Sequence, residues 1–295
     1  MPGSADMYKL TLERLIEFMK LTYKVPDIHI YQIGLWFLEK FYQFLHKKYK
    51  CSTNTTIKYM KRFASIMNFA QKTGLIQVTP FNIFRFHTEK KEPVYLTEEE
   101  LKRIMDKEFV TERLAVVRDA FVFSCYTGLS FSDIANLKFS DIQERNSLYR
   151  IRTGRRKTDS VSYIPLLDIP MKILDRYRRK YSDKCKEINK IEVETEIKQA
   201  DRIADDRVFP IRSNQVTNEF LKEIADVCGI GKKVSYHTAR HTFATLALSN
   251  GVSLESVSKM MGHTSIRTTQ VYAQITNLKV KEEMEVMADR LKGNK

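Results

Sequence analysis

Residues 88–93, Thr-Glu-Lys-Lys-Glu-Pro, carry no apolar period and close on a proline. That stretch predicts a linker at residues 88–95. A chain of 295 residues exceeds most single cores, so a break there divides it naturally into two domains, 7–87 and 96–295. Residues 1–6, Met-Pro-Gly-Ser-Ala-Asp, read as an appended scar. Hydrophobic residues make up 43% of the chain, enough to fill both cores, and 29% charge argues against disorder.

The first domain reads as all helix. Residues 7–24 group Leu10, Leu12, Leu15, Ile16, Met19 and Leu21 at helical spacing. A second helix is expected from Ile30 to Lys48, with Trp36, Phe37, Leu38, Phe41, Tyr42, Phe44 and Leu45 as core. A third follows the capping cluster Ser52-Thr-Asn-Thr and ends near Gly74, with a shorter segment to Phe86. In the second domain, Leu96-Thr-Glu-Glu-Glu is a capping box opening a helix. Residues 111–127 form a buried helix stopped by Gly128. Leu148–Arg152 and Val161–Ile164 alternate as strands around a polar turn, and 183–206 reads as a helix extension plus loop. Helices are expected at 214–228, 237–250, 253–261, 265–275 and 279–292. The fold class is therefore mainly α with a small β-hairpin or sheet: a helical domain followed by a mixed α+β domain.

Formal net charge is +14, and residues 1–95 carry +8 of it (15 Lys/Arg against 7 Asp/Glu). Such an excess suits a polyanionic partner approached quickly and salt-sensitively. Lys47, Lys48, Lys50, Lys58, Lys61 and Arg62 gather around one inter-helix turn. They read as phosphate contacts on duplex DNA, against the ordinary alternative of a solvated helix face. Cys51, Cys125, Cys185 and Cys228 lie far apart with no zinc spacing, so buried thiols in a reduced cytoplasmic protein are expected and no metal is. No run approaches a membrane span and no signal peptide precedes the first helix.

The chemistry lies in the last sixty residues. His237-Thr-Ala-Arg240 is followed after twenty-two residues by His263, and after eight more by Tyr272. Arginine grips non-bridging phosphate oxygens in a bidentate fork. Imidazole moves protons near neutral pH, and tyrosine can be a covalent nucleophile. Together these groups suit breaking and remaking a phosphodiester through a phosphotyrosine.

The array resembles the catalytic domain of the tyrosine recombinases, the phage-integrase superfamily. The resemblance is carried by the segment from His237 to Ile275, with Met-Gly-His263 before a Ser/Thr-rich helix start. It extends upstream through Tyr126-Thr-Gly-Leu-Ser-Phe-Ser-Asp133 and Leu96-Thr-Glu-Glu-Glu-Leu101, so it covers roughly residues 96–292. The first 95 residues resemble that family's SAM-like core-binding domain in layout only. The resemblance implies a two-domain clamp on DNA, with Tyr272 attacking a phosphate to leave a 3′-phosphotyrosyl bond and a free 5′-hydroxyl. Arg240 would hold the phosphate, and His237 and His263 would donate to it or manage the tyrosine's proton. Lys157, in Gly154-Arg-Arg-Lys-Thr158, would be the general acid on the leaving oxygen. Bond energy stays in the adduct, so no ATP, metal or cofactor is required. His241, one turn beyond His237, reads as structural and falls outside the set.

One position departs from the pattern. After Thr127-Gly-Leu the family has its first catalytic arginine, and this chain has Ser130, with the expected acid present at Asp133. A serine cannot neutralise phosphate. Arg155, two residues before Lys157 on an extended backbone, would share its face and substitute; Arg152 and Arg156 are the other candidates. The serine resembles the variant in integrases of Bacteroidetes mobile elements, conjugative or mobilisable transposons. The helix at 279–292 implies exchange between protomers of a homo-tetramer on DNA, with accessory DNA-bending proteins as further partners. Two other readings stand beside this one: a type IB-like topoisomerase, and a DNA-binding protein impaired in catalysis by Ser130.

Overall fold

A computed structural model describes residues 4–89, 92–145, 148–154, 161–191, 206–273 and 284. The chain divides into two compact units, Met1–Glu92 and Pro93–Lys295. The described part is mainly helical with one three-stranded antiparallel sheet. Among the described residues no helix is long and apolar enough to cross a membrane.

The first unit is built from α1 (Ser4–Thr22), α2 (Leu35–Tyr49) and α3 (Thr53–Lys72). Each presents one apolar stripe at the spacing of neighbouring helical turns: Leu15, Phe18 and Met19; Leu38, Phe41 and Leu45; Met60, Phe63 and Met67. The stripes meet in an aromatic core, with Phe18 edge-on to Phe37 at 5.0 Å and Phe41 edge-on to Phe63 at 6.1 Å. Each such pair adds about 0.5–1.5 kcal/mol beyond its buried area. The expected helices begin or end a few residues differently. α1 already includes Ser4-Ala-Asp6, inside the segment read as a scar, and 30–32 is a separate 3-10 turn ahead of α2. Trp36 corrects the expected core. It is 67% exposed, because the stripe of α2 starts one position later at Phe37; Leu12 and Leu21 of α1 are also exposed.

In the second unit α4 (Glu98–Asp106) opens on Thr97, whose side chain accepts from the Glu100 amide while Glu100 caps in return. The helix α5 (Glu112–Thr127) is buried on every side, with Val117, Ala120, Phe121, Val122, Phe123 and Cys125 all in the core. It stops at Gly128, which adopts a left-handed φ of 68°. No other residue type fits there easily, since a Cβ would stand 2.5 Å from the Phe243 ring. A five-residue helix, α6 (Phe131–Ala135), follows.

The sheet runs β1 (Ile142–Arg145), β2 (Leu148–Gly154) and β3 (Val161–Pro165) in spatial order. Ile142, Ile151 and Ile164 lie in register across it, and the latter two are fully buried. Strand β1 and helix α6 were absent from the sequence reading. The edge strand Ile-Gln-Glu-Arg has one apolar residue, so it shows no alternation. Helix α7 (Asp168–Ile191) leads on to α8 (Asn214–Val227), α9 (Tyr236–Ser249), α10 (Leu254–Met260) and α11 (Arg267–Ala273). Residues 192–205 and the expected helix 279–292, apart from a helical, exposed Met284, lie outside the described residues.

Candidate active site

Helix α9 starts at Ser235, which exchanges hydrogen bonds with Thr238 as a capping box. Its inner face packs on α5. His237, Arg240 and His241 stand three and four residues apart, so they share the face turned to α10 and α11. Helix α10 ends in the left-handed Gly262, φ 59°, and this turn delivers His263. Helix α11 carries Tyr272 back against α9, where Phe243, Ala244, Leu248, Val257, Met261 and Tyr272 form a small apolar cluster.

Arg240 is buried, 5% exposed, yet its guanidinium is well supplied with acceptors. It donates through Nη1 to the Gly128 carbonyl and through Nη2 to the Met261 carbonyl at 2.8 Å. Nη2 also lies 3.3 Å from Nε2 of His263. The other ring nitrogen of His263 is 2.8 Å from the hydroxyl of buried Thr269 on α11. The left-handed glycine and the turn at 261–263 thus aim backbone carbonyls at one cation, and His263 is oriented from both ends.

Tyr272 is 5% exposed, and its hydroxyl sits 2.7 Å from Nδ1 of His241. Burial holds the phenol above its ordinary pKa, and the nearby Arg240 charge offsets part of that rise. Burial brings His241 down to about 4, with His237 and Arg240 adding repulsion. His237 is also lowered, by burial first and then by the Arg240 charge. Its ring meets that of His241 edge-on at 4.4 Å.

The structure therefore brings Arg240, His237, His263 and Tyr272 together, and adds a residue that the sequence reading set aside. His241 touches the phenol. The available signal was its position one turn beyond His237, which puts both rings on one helix face; the partner, 31 residues on, had no local trace. Ser130 is the N-cap of α6, its hydroxyl 2.7 Å from the Asp133 carboxylate and 2.8 Å from Ser132. Arg152 is exposed on β2, opposite Tyr163. Arg155, Arg156 and Lys157 lie outside the described residues. Among the described residues no group of three or more His, Cys, Asp or Glu could hold a metal ion.

The basic cluster of the first unit is also in place around the α2–α3 turn. Lys47, Lys48, Lys50, Lys58 and Lys61 are exposed and Arg62 is half-buried. Lys48 is paired with Glu17 and Lys61 rests over Phe86. Lys50 takes a left-handed φ of 48° at the end of α2.

Two family models cover nearly the whole chain: the phage integrase SAM-like domain over residues 1–89 and the phage integrase family over 94–278. The tyrosine recombinase XerC of Oceanobacillus iheyensis is 25% identical over 310 residues, covering 100% of this chain and 92% of that protein. XerA of Pyrococcus furiosus is 29% identical over 196 residues, 65% of this chain and 61% of its own length. Two solved structures share the fold. One is the XerH site-specific recombinase bound to palindromic difH substrate in a post-cleavage complex, with TM-score 0.71, 18% identity and coverage of 96% and 79%. The other is the Tn1549 transposon integrase with transposon right end DNA, with TM-score 0.67, 20% identity and coverage of 98% and 95%. With Arg240, the histidines and Tyr272 gathered on α9 to α11 of this same fold, the chain belongs to the phage integrase family, the tyrosine recombinases that cleave and rejoin DNA.

Proposed function

We propose that this chain is the integrase of a mobile DNA element of the Bacteroidetes kind, a site-specific recombinase cutting through Tyr272. The observation that carries the reading is the meeting of a buried, carbonyl-held Arg240 on α9 with His263 from the turn after α10, its charge also reaching Tyr272 on α11. Family membership favours recombination over the topoisomerase alternative. Occupied positions throughout the array weigh against a silent DNA-binding protein.

In this mechanism Arg240 binds the non-bridging oxygens and stabilises the added charge as the phosphorus becomes five-coordinate. Low surrounding dielectric strengthens that grip. His263, bonded to Thr269 and accepting from Arg240, fixes the guanidinium for that phosphate, and His237 is the imidazole left to donate to it. The Tyr272 oxygen attacks in line and the 5′-oxygen departs with a proton from Lys157. Rejoining is the reverse, with an incoming 5′-hydroxyl displacing the tyrosine. Arg155 supplies the cation that Ser130 does not. Residues 7–87 form the core-binding domain, with the lysines of the α2–α3 turn on duplex phosphates, and residues 96–295 form the catalytic domain. Four protomers assemble on DNA by exchanging helix 279–292, with accessory DNA-bending proteins assisting.

The test is a nicked suicide duplex carrying the ends of the host element, with wild type compared against Tyr272→Phe. A covalent protein–DNA band that forms without ATP or added metal and vanishes in the variant is the expected result. An adduct that persists in Tyr272→Phe sinks the assignment of the nucleophile.

A further inference from the structure

We propose that His241 is a catalytic residue of this enzyme, the base that takes the phenolic proton of Tyr272 as the tyrosine attacks. The inference rests on Tyr272 being the nucleophile and adds a residue to the site. It starts from contact. Nδ1 of His241 lies 2.7 Å from the reacting oxygen, within the reach required of a general base.

The protonation states suit the role. Burial raises the phenol, so it keeps its hydrogen and donates. Burial together with His237 and Arg240 brings His241 down to about 4. At neutral pH the ring is therefore uncharged, with its proton on Nε2 and a lone pair on Nδ1 facing the hydroxyl. The two other histidines are placed differently. His263 receives an Arg240 N–H at Nε2, and its Nδ1 side is bonded to Thr269, so its lone pair is already directed at the guanidinium. His237 stands behind His241, edge-on at 4.4 Å.

A resting base so weak has a purpose in the geometry. The groups facing His241 are His237 and Arg240 from its own helix and Tyr272 from α11, with His263 bonded to Arg240. Arg240 is the main fixed cation among them. A phosphate bound to Arg240 cancels the charge that disfavours an imidazolium next door, so His241 becomes more basic when DNA is in place. The phenol is thereby kept neutral in the free protein and loses its proton only against bound phosphate.

The step balances. The Tyr272 O–H bond breaks and its proton passes to Nδ1 while the Oη–P bond forms. The P–O5′ bond breaks, and its electron pair leaves on the 5′-oxygen, which is protonated from the leaving side. In rejoining, His241 returns the proton to the departing phenol.

The experiment uses the full chain on the nicked duplex, under single turnover, with His241→Asn. The Asn amide oxygen accepts a hydrogen bond but takes no proton. Cleavage should slow by about 100-fold, within the usual range for general acid–base catalysis, with DNA binding unchanged. The deficit should shrink as pH rises and the phenol ionises unaided. A duplex with sulfur in the bridging 5′ position needs no leaving-group acid, so it should not rescue the variant. A His241→Asn rate within threefold of wild type, or full rescue by the sulfur substrate, overturns the proposal. Should the variant lose its thermal unfolding transition, the wild type serves on the sulfur substrate. There a solvent deuterium isotope effect above unity supports proton transfer on the nucleophile side, and one of unity overturns it. Tyr272→Phe runs in parallel: an adduct that survives it refutes the nucleophile, a result distinct from any outcome at His241.

Discussion

The site is assembled from two unequally supported halves. Arg240 projects from the fourteen-residue α9, packed on the largely buried α5, and its guanidinium is fixed by the Gly128 and Met261 carbonyls. Tyr272 projects from α11, described over Arg267–Ala273, and its hydroxyl is met by the imidazole of His241. Arg240, the proposed phosphate ligand, thus stands next to Ala239 of the domain's main core, while Tyr272, the proposed nucleophile, belongs among the described residues to a small satellite cluster with Phe243, Ala244, Leu248, Val257 and Met261. Charge stabilisation gains from groups that need not reorganise during reaction. A nucleophile that must approach and later leave phosphorus has no such requirement, and in the proposed mechanism Tyr272, met by a single imidazole, has that task.

The largest effect is expected where the rigid half is broken. Arg240→Lys keeps one positive charge but loses the planar fork. Cleavage on the nicked duplex should fall by at least about 10³-fold, given that losing a single transition-state donor costs 10²–10³. The variant should also be less stable by about 1–3 kcal/mol, because a buried carbonyl at Gly128 or Met261 loses its donor. A Lys variant with near-normal cleavage would show that the guanidinium is structural.

Gly128→Ala comes next and strikes the support without touching the chemistry. The substitution combines a left-handed backbone, which costs about 1–2 kcal/mol for an ordinary residue, with a Cβ pressed into the Phe243 ring. Together they predict a loss of about 2–4 kcal/mol by denaturant unfolding. Displacement of the Gly128 carbonyl should lower cleavage along with stability, since that oxygen holds Arg240. Normal cleavage in a destabilised variant would separate the helix stop from the phosphate grip.

How much of this was legible depends on the range of the interactions. Gly128 as a helix stop and Thr97 with Glu100 as a capping box are local signals, and both appear where the sequence puts them. The motif residues on α9 to α11 likewise declare themselves by spacing. The contact between His241 and Tyr272 is invisible to any window shorter than 31 residues, and each residue alone resembles ordinary helix core. Trp36 failed for the opposite reason. Composition marked it as core, whereas the helical stripe that decides burial runs through its neighbour Phe37.

The smallest effect is expected at Ser130, where the resemblance to the tyrosine recombinases implies an arginine. The serine side chain caps a five-residue helix and bonds Asp133 and Ser132, which is local structural work. Ser130→Ala should therefore cost about 1 kcal/mol, the usual worth of an N-cap, and leave single-turnover cleavage essentially unchanged. If instead cleavage drops by tenfold or more while stability changes by only the capping amount, the hydroxyl itself reaches the phosphate. The missing arginine would then be replaced in place by a neutral donor, and the rigid half of the site would extend from Arg240 across Gly128 to Ser130, without any need for Arg155.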